Sequence, residues 1–301
     1  MCHYRFLAIS FLLANGIAST GFGEEGTRHF SARQVFDYES PILFESNFAK
    51  SGFDKWNISE DGRYRLPKSN PARLEIADAP ALDGSLKAVR FRVPKAPNSY
   101  RSEISLPSEK GFNERWYGIS LFVPDDWTYD PNKGADIVIQ WHAVPGNWKP
   151  TYPNLVIAIQ DSSWFIRQSF GSPQKGPVRK SARLKAPVAP GCWVSWIICA
   201  KWSPDADGRI RVWRDGESVF DVEGPNAYGT IGKDYTPYLK TGIYHPEWNL
   251  KSDSHKKRFE EEIAGVTEKE IYVSKVIVGS GKATYEGVFQ LLPSRSKHDS
   301  E

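Results

Sequence analysis

Three short stretches of this sequence carry side chains able to bind an anion and move a proton beside it. Asp136-Ile137-Val138-Ile139-Gln140-Trp141-His142 sets an amide next to an imidazole, and Arg101-Ser102-Glu103-Ile104-Ser105-Leu106 sets a guanidinium next to a carboxylate. Tyr238-Leu239-Lys240-Thr241-Gly242-Ile243-Tyr244 adds an ammonium between two phenols. An imidazole is a common proton acceptor near neutral pH and a phenol a usable donor, while a guanidinium held by a neighbouring carboxylate is presented in a fixed pose to an anionic ligand. Each stretch alone is ordinary. A lone strand histidine is more often structural than catalytic, an Arg-Ser-Glu run is mostly a solvated face, and a strand tyrosine is usually a half-buried sheet aromatic. The combination of all three points to a site.

Such side chains act together only if the backbone presents them on one face. In an extended strand alternate residues share a face, so Gln140 and His142 are expected together with Val138, opposite Ile137, Ile139 and Trp141. The same period groups Arg101, Glu103 and Ser105, and it groups Tyr238, Lys240, Gly242 and Tyr244. Gly242 is expected to leave room for a ligand to approach closely.

The rest of the chain supplies the strands that these stretches require. Of its 301 residues 13% are aromatic, with 24 Gly, 21 Pro and one Met, a composition of short β-segments cut by turns. Arg209 to Val222 reads as a hairpin turning at Asp215-Gly216. Short strands with regular turn residues and almost no helical period predict an all-β fold, a two-sheet antiparallel sandwich or β-jelly roll. One helix-like stretch, His255 to Ile263, allows i,i+4 pairing of Lys256 with Glu260 and Lys257 with Glu261, as a surface insertion. All-β units of this length are common as one domain, here expected over residues 24–293 and followed by a frayed polar tail over 294–301.

Residues 1–23 have the layout of a secretory signal, with Arg5 before the apolar run Phe6 to Ala14 and Gly16-Ile17-Ala18 as a cleavage site. That run is too short to span a bilayer, so a secreted chain without stable membrane insertion is expected. The net charge of +3 argues against a nucleic-acid partner. Cys192 and Cys199 flank a strand-like run, and seven extended steps separate them by about 23 Å, too far for a disulfide. Two buried free thiols are expected, and no Cys/His spacing marks a metal site. Lys175 to Lys185 carries five cations and no acid, suited to a loop guiding an anionic chain.

The motifs Arg101-Ser102-Glu103-Ile104, Gln140-Trp141-His142 and Tyr238-Leu239-Lys240-Thr241-Gly242-Ile243-Tyr244 resemble, in the same order, the signature strands of jelly-roll alginate lyases, glucuronan lyases and heparin lyase I-like enzymes. Trp116-Tyr117-Gly118-Ile119-Ser120 and Gly191-Cys192-Trp193 are similar too. Thr241 stands where many relatives have Ala, and Ser105 stands where alginate lyases often have Arg. The resemblance implies a β-jelly roll of the concanavalin A type with an open groove, and a secreted polysaccharide lyase, a carbon–oxygen lyase expected to act on an acidic polysaccharide as a monomer. It needs no cofactor, although some relatives hold a structural Ca²⁺.

The implied reaction is β-elimination from a 4-O-linked uronate, in which the C5 proton leaves and the 4-linked sugar is expelled. A second negative charge must then develop beside the carboxylate, and the resemblance assigns Gln140 and Arg101 to stabilise it. His142 and Tyr244 become the base and acid, with His142 the base for anti departure and Tyr244 serving both roles for syn. Lys240, Glu103, Tyr238, Trp148 and Trp248 are expected to bind substrate, the tryptophans by stacking on sugar rings. Two other classes compete. A glycoside hydrolase on this fold needs paired carboxylates, and no E-x-D-x-x-E run occurs. A non-catalytic carbohydrate-binding module would not need Gln140, His142 and Tyr244 together.

Overall fold

Runs such as Cys192-Trp193-Val194-Ser195-Trp196-Ile197-Ile198-Cys199 are rich in β-branched and aromatic residues, which suit a pleated surface packed on both faces. They build a β-jelly roll of two stacked antiparallel sheets in a computed structural model. The structure describes residues 31–49, 52–60, 63–65, 73–82, 86–129, 134–143, 152–229, 235–261 and 266–293. The expected signal segment, the terminal tail and Trp148 lie outside the described residues.

In the first sheet the strands run in the order Glu217–Glu223, Arg209–Arg214, Cys192–Lys201, Glu114–Val123, Glu268–Ser280, Lys87–Pro94 and Leu74–Asp78, with Ile42–Ser46 also pairing with Glu268–Ser280. The second runs Gly176–Pro187, Ser163–Ser172, Leu155–Gln160, Asp136–His142, Tyr238–Tyr244, Arg101–Ser105, Asn57–Glu60 and Arg63–Arg65. The three motif strands are therefore neighbours, although more than a hundred residues of chain separate the first from the last.

The core fills the space between the sheets. Ile119, Leu121, Trp196, Ile198 and Val276 from one side meet Ile104, Ile139, Trp141, Leu239 and Ile243 from the other. Trp164 meets Trp196 edge-on at 5.0 Å between ring centres, and Trp141 meets Tyr117 likewise at 5.1 Å. This layer fixes the inner face of each motif strand and leaves the outer face for polar side chains.

One expectation about faces is corrected. Val138 packs in the core beside Ile139, and Ile137 lies on the outer face with Val156, Ala158 and Tyr244. A bulge is the cause: Ile157 pairs with Ile139 and Ala158 with Ile137, which skips Val138 and reverses the alternation beyond it. Thr241 Oγ1 donates to the Val138 carbonyl at 3.1 Å and so pins the bulge.

Gly242 also has a different purpose from the one its sequence suggested. Its φ is +136°, and a Cβ there would lie 2.2 Å from the Ser102 carbonyl oxygen and 3.0 Å from Phe91. The missing side chain admits the neighbouring strand and a core phenylalanine, not a ligand.

The hairpin forms as expected, with Asp215 and Gly216 both at positive φ. The helix runs Asp253–Glu260, starting earlier than expected because the Ser252 side chain accepts from the His255 backbone N–H. Lys257 pairs with Glu261 at 3.6 Å, whereas Lys256 turns back to Asp253 at 3.0 Å. Both cysteines are free, with Cys199 buried and Cys192 only half-buried. The cationic run is not a loop: Gly176–Pro187 is an edge strand paired along its length with Ser163–Ser172.

Candidate active site

Register brings the predicted side chains into adjoining rows. Tyr244 faces Arg101, Gly242 faces Glu103, and Lys240 faces Ser105 on one side and Gln140 on the other. His142 faces Tyr238, and their ring centres lie 5.9 Å apart. Tyr238 therefore flanks the imidazole.

Glu103 is the hub of the cluster. Its side chain is 2% exposed, and one oxygen accepts from Lys240 Nζ at 2.6 Å and lies 3.0 Å from Arg101 Nε. The other oxygen accepts a hydrogen bond from the Gln140 side-chain amide. This fixes the Gln140 amide, since the reverse orientation would set two acceptors face to face. The Gln140 carbonyl oxygen, also buried, has no hydrogen-bond partner.

Two cations, Lys240 and Arg101, converge on one oxygen of the Glu103 carboxylate. Lys240 is 3% exposed. Burial pushes its ammonium below the ordinary lysine range, Glu103 opposes that shift, and Arg101 reinforces it. Lys240 is thus neither the solvated lysine nor the ligand-facing one that its sequence allowed, because its carboxylate partner is internal.

His142 lies at the edge of the cluster with its tautomer fixed. Its Nδ1 sits 2.9 Å from the Ala143 carbonyl, which can only accept, so Nδ1 carries the proton and Nε2 the lone pair. Burial lowers the His142 pKa. The bond to Ala143 and the charge of Glu103 oppose this, and Lys240 and Arg101 add to it. The imidazole is neutral at pH 7 and its lone pair is available. The Ala143 carbonyl is a functional group that sequence reasoning missed, because backbone acceptors leave no mark in residue types.

Tyr244 is in the opposite condition. Burial raises its pKa, with Arg101 opposing, so the phenol keeps its proton. The Arg101 guanidinium lies over the Tyr244 ring at 4.4 Å, and the Tyr100 ring is 6.0 Å from it. Tyr100 also went unremarked in the sequence.

Trp248 does not join the site. It is fully buried at the end of the short helix Pro246–Trp248, with its ring 4.7 Å from that of His245. The expectation that it stacks on a sugar is corrected, because the core takes the indole. Asp136 is not at the site either: it turns toward the other sheet, 2.6 Å from His245 and 3.3 Å from Lys269. Among the described side chains of the three motif strands, Glu103 is the only carboxylate on the outer face. A surface cavity of about 1120 Å³ adjoins the cluster at Ser105 and Tyr238. No set of three or more His, Cys, Asp or Glu side chains able to hold a metal ion occurs among the described residues.

Several solved structures share the fold. An endo-β-1,4-glucuronan lyase from the fungus Trichoderma reesei is 21% identical, with a TM-score of 0.60 over 77% of this chain and 96% of that one. A family 16 endo-glucanase from Bacteroides ovatus is 12% identical at a TM-score of 0.50, over 78% and 99% of the two chains. An alginate lyase from Pseudomonas aeruginosa is 14% identical at 0.49, over 76% and 99%. At these identities the likeness is one of fold, which the glucuronan lyase and the endo-glucanase share. No curated protein sequence matches. The family model for polysaccharide lyases matches residues 48–276 and spans all three motif strands. The chain belongs to the polysaccharide lyase family.

Proposed function

We propose that this polysaccharide lyase cleaves a 4-O-linked uronan by β-elimination, with His142 as base and Tyr244 as acid. The observation that carries the reading is the cluster of Arg101, Lys240 and the Gln140 amide gathered on Glu103, placed beside a neutral imidazole with an available lone pair. A uronate carboxylate would sit against Arg101 and the second N–H of the Gln140 amide, where preorganised donors stabilise the charge that develops on it. Glu103 and Lys240 hold these two groups in place.

His142 Nε2 takes the C5 proton as the C4–O4 bond breaks and a C4–C5 double bond forms. Tyr244 hands its proton to the departing oxygen, and solvent returns the proton from His142 to the phenolate. The two groups stand on either side of the Gln140 row, which suits departure of proton and sugar from opposite faces. The apolar run behind Arg5 supports export of the enzyme to meet a polymeric substrate.

The product of elimination carries a conjugated unsaturated uronate that absorbs in the ultraviolet, and hydrolysis makes no such group. Assay of purified protein on glucuronan, alginate, heparin and heparan sulfate is expected to produce this absorbance with at least one polymer. His142→Ala is expected to abolish it there. No absorbance from any uronan would overturn the reaction, and an undiminished His142→Ala rate would overturn the assignment of the base.

A further inference from the structure

Beyond the cluster the same sheet face holds a cation with no carboxylate partner among the described residues. Arg167, in the strand Ser163–Ser172, pairs across the sheet with Val156, which in turn pairs with Gln140. Two strand spacings, about 10 Å, separate Arg167 from Gln140 along that row. Between them lies Val156, which forms a low apolar floor with Ala158 and Ile137 of the next row.

Three other partly or fully buried guanidiniums show the usual arrangement, an arginine held by a carboxylate. Arg115 is held by Glu109 at 2.6 Å, Arg90 by Glu270 at 2.6 Å and Glu75 at 2.9 Å, and Arg101 by Glu103. Arg167 has none among the described residues. Its Nε is shielded from solvent and makes no hydrogen bond, and Arg179, Tyr228, Tyr244 and Tyr152 are among the titratable groups that act on it. Arg179 adds a second cation on the same face, its guanidinium stacked 4.5 Å from the Tyr152 ring centre. By contrast Arg183, two strand positions further along from Ser181, is neutralised by Asp161 at 3.1 Å. Holding a guanidinium out of water without a counter-ion is costly. A ligand that supplies the missing charge would offset that cost.

We propose that Arg167 and Arg179 form a second anion subsite, which takes the acidic group of a sugar neighbouring the one that is cleaved. The proposal rests on the lyase reading and extends it: the enzyme recognises consecutive acidic sugars, not an isolated uronate in a neutral chain. A carboxylate on that sugar satisfies the guanidinium pair, and so does a sulfate.

The test uses the full-length protein, with Arg167→Gln, Arg179→Gln and the charge-conserving Arg167→Lys. Binding is read by affinity electrophoresis in native gels containing polyglucuronate, its carboxyl-reduced neutral form, or heparin. Arg167→Gln is expected to weaken binding to polyglucuronate about tenfold or more, as loss of a charged hydrogen bond does. Arg179→Gln should weaken it less, Arg167→Lys should recover part of the loss, and binding to the neutral polymer should be unchanged. In turnover KM rises with kcat nearly unchanged.

Should Arg167→Gln fail to fold, as a thermal melt will show, Arg179→Gln and Arg167→Lys carry the same comparison. Wild-type affinity and KM in the folded variants overturn the subsite, as does an equal loss on the neutral polymer. An arginine-dependent loss confined to heparin assigns the subsite to sulfate. If the wild type binds uronan in an arginine-dependent way but forms no unsaturated product, the subsite stands and the lyase reading fails.

Discussion

At the scale of single residues, the site rests on two groups whose protonation is set by burial. Because the His142 pKa is lowered, the base stays unprotonated at pH values where a free histidine would begin to charge. The acidic limb of kcat/KM is therefore expected below the free-histidine value of about 6.5. A limb at or above that value would contradict the environment described for the imidazole. The sign for stability is the same: the unfolded chain takes up the proton first, so the His142 contribution is present above about pH 6.5 and is lost as pH falls through the lower folded value. Tyr244→Phe keeps the ring that packs under Arg101 but removes the proton, and is expected to cost about 10²–10⁴-fold in kcat with little change in melting temperature. Glu103→Gln removes the carboxylate that holds Lys240 and Arg101. Breaking a buried pair in this way costs on the order of 3–5 kcal/mol, so a melt should show destabilisation as well as lost turnover.

At the scale of elements, the strands and the faces that they present were legible in part. Period two placed Gln140 with His142, Arg101 with Glu103 and Lys240 with Tyr244, and the pairing register agrees. It failed at Val138, where one bulged residue moves Ile137 to the site face. A bulge is set by cross-strand pairing and by the Thr241 hydroxyl, neither of which the strand's own residue types reveal. Gly242 was read as clearance for a sugar because its neighbouring strand could not be known. The backbone there predicts that Gly242→Ala destabilises by at least about 1–3 kcal/mol, through positive φ and collision with the Ser102 carbonyl. A variant that melts with the wild type would show that neither constraint acts.

At the scale of the whole molecule, the jelly roll was legible because short strands, turn residues and aromatic content all point one way. The partners of buried groups were not legible. Trp248 reads in sequence like any exposed indole near a motif strand, and only the packed core shows it fully buried. Trp248→Ala is accordingly expected to lower stability by about 3–5 kcal/mol without changing KM in the folded fraction. A raised KM with an unchanged melt would return the residue to the substrate. Arg167 carries no motif; its only signal in sequence is a cation alternating with the core residues Trp164 and Ile166. That pairing of three strands within one sheet brings it into the row of Gln140 is a property of the fold and of no single segment.

The central claim is that bonds break here by elimination and not by addition of water, and the mass of the products tests it most directly. Digestion of a defined uronan oligosaccharide by the purified protein, followed by mass spectrometry, weighs both fragments. Elimination predicts fragment masses that sum to that of the substrate, with the fragment from the new non-reducing end one water lighter than the saturated sugar. Fragments that together exceed the substrate by one water, with no unsaturated end, would mean hydrolysis and would contradict the roles given to His142 and Tyr244.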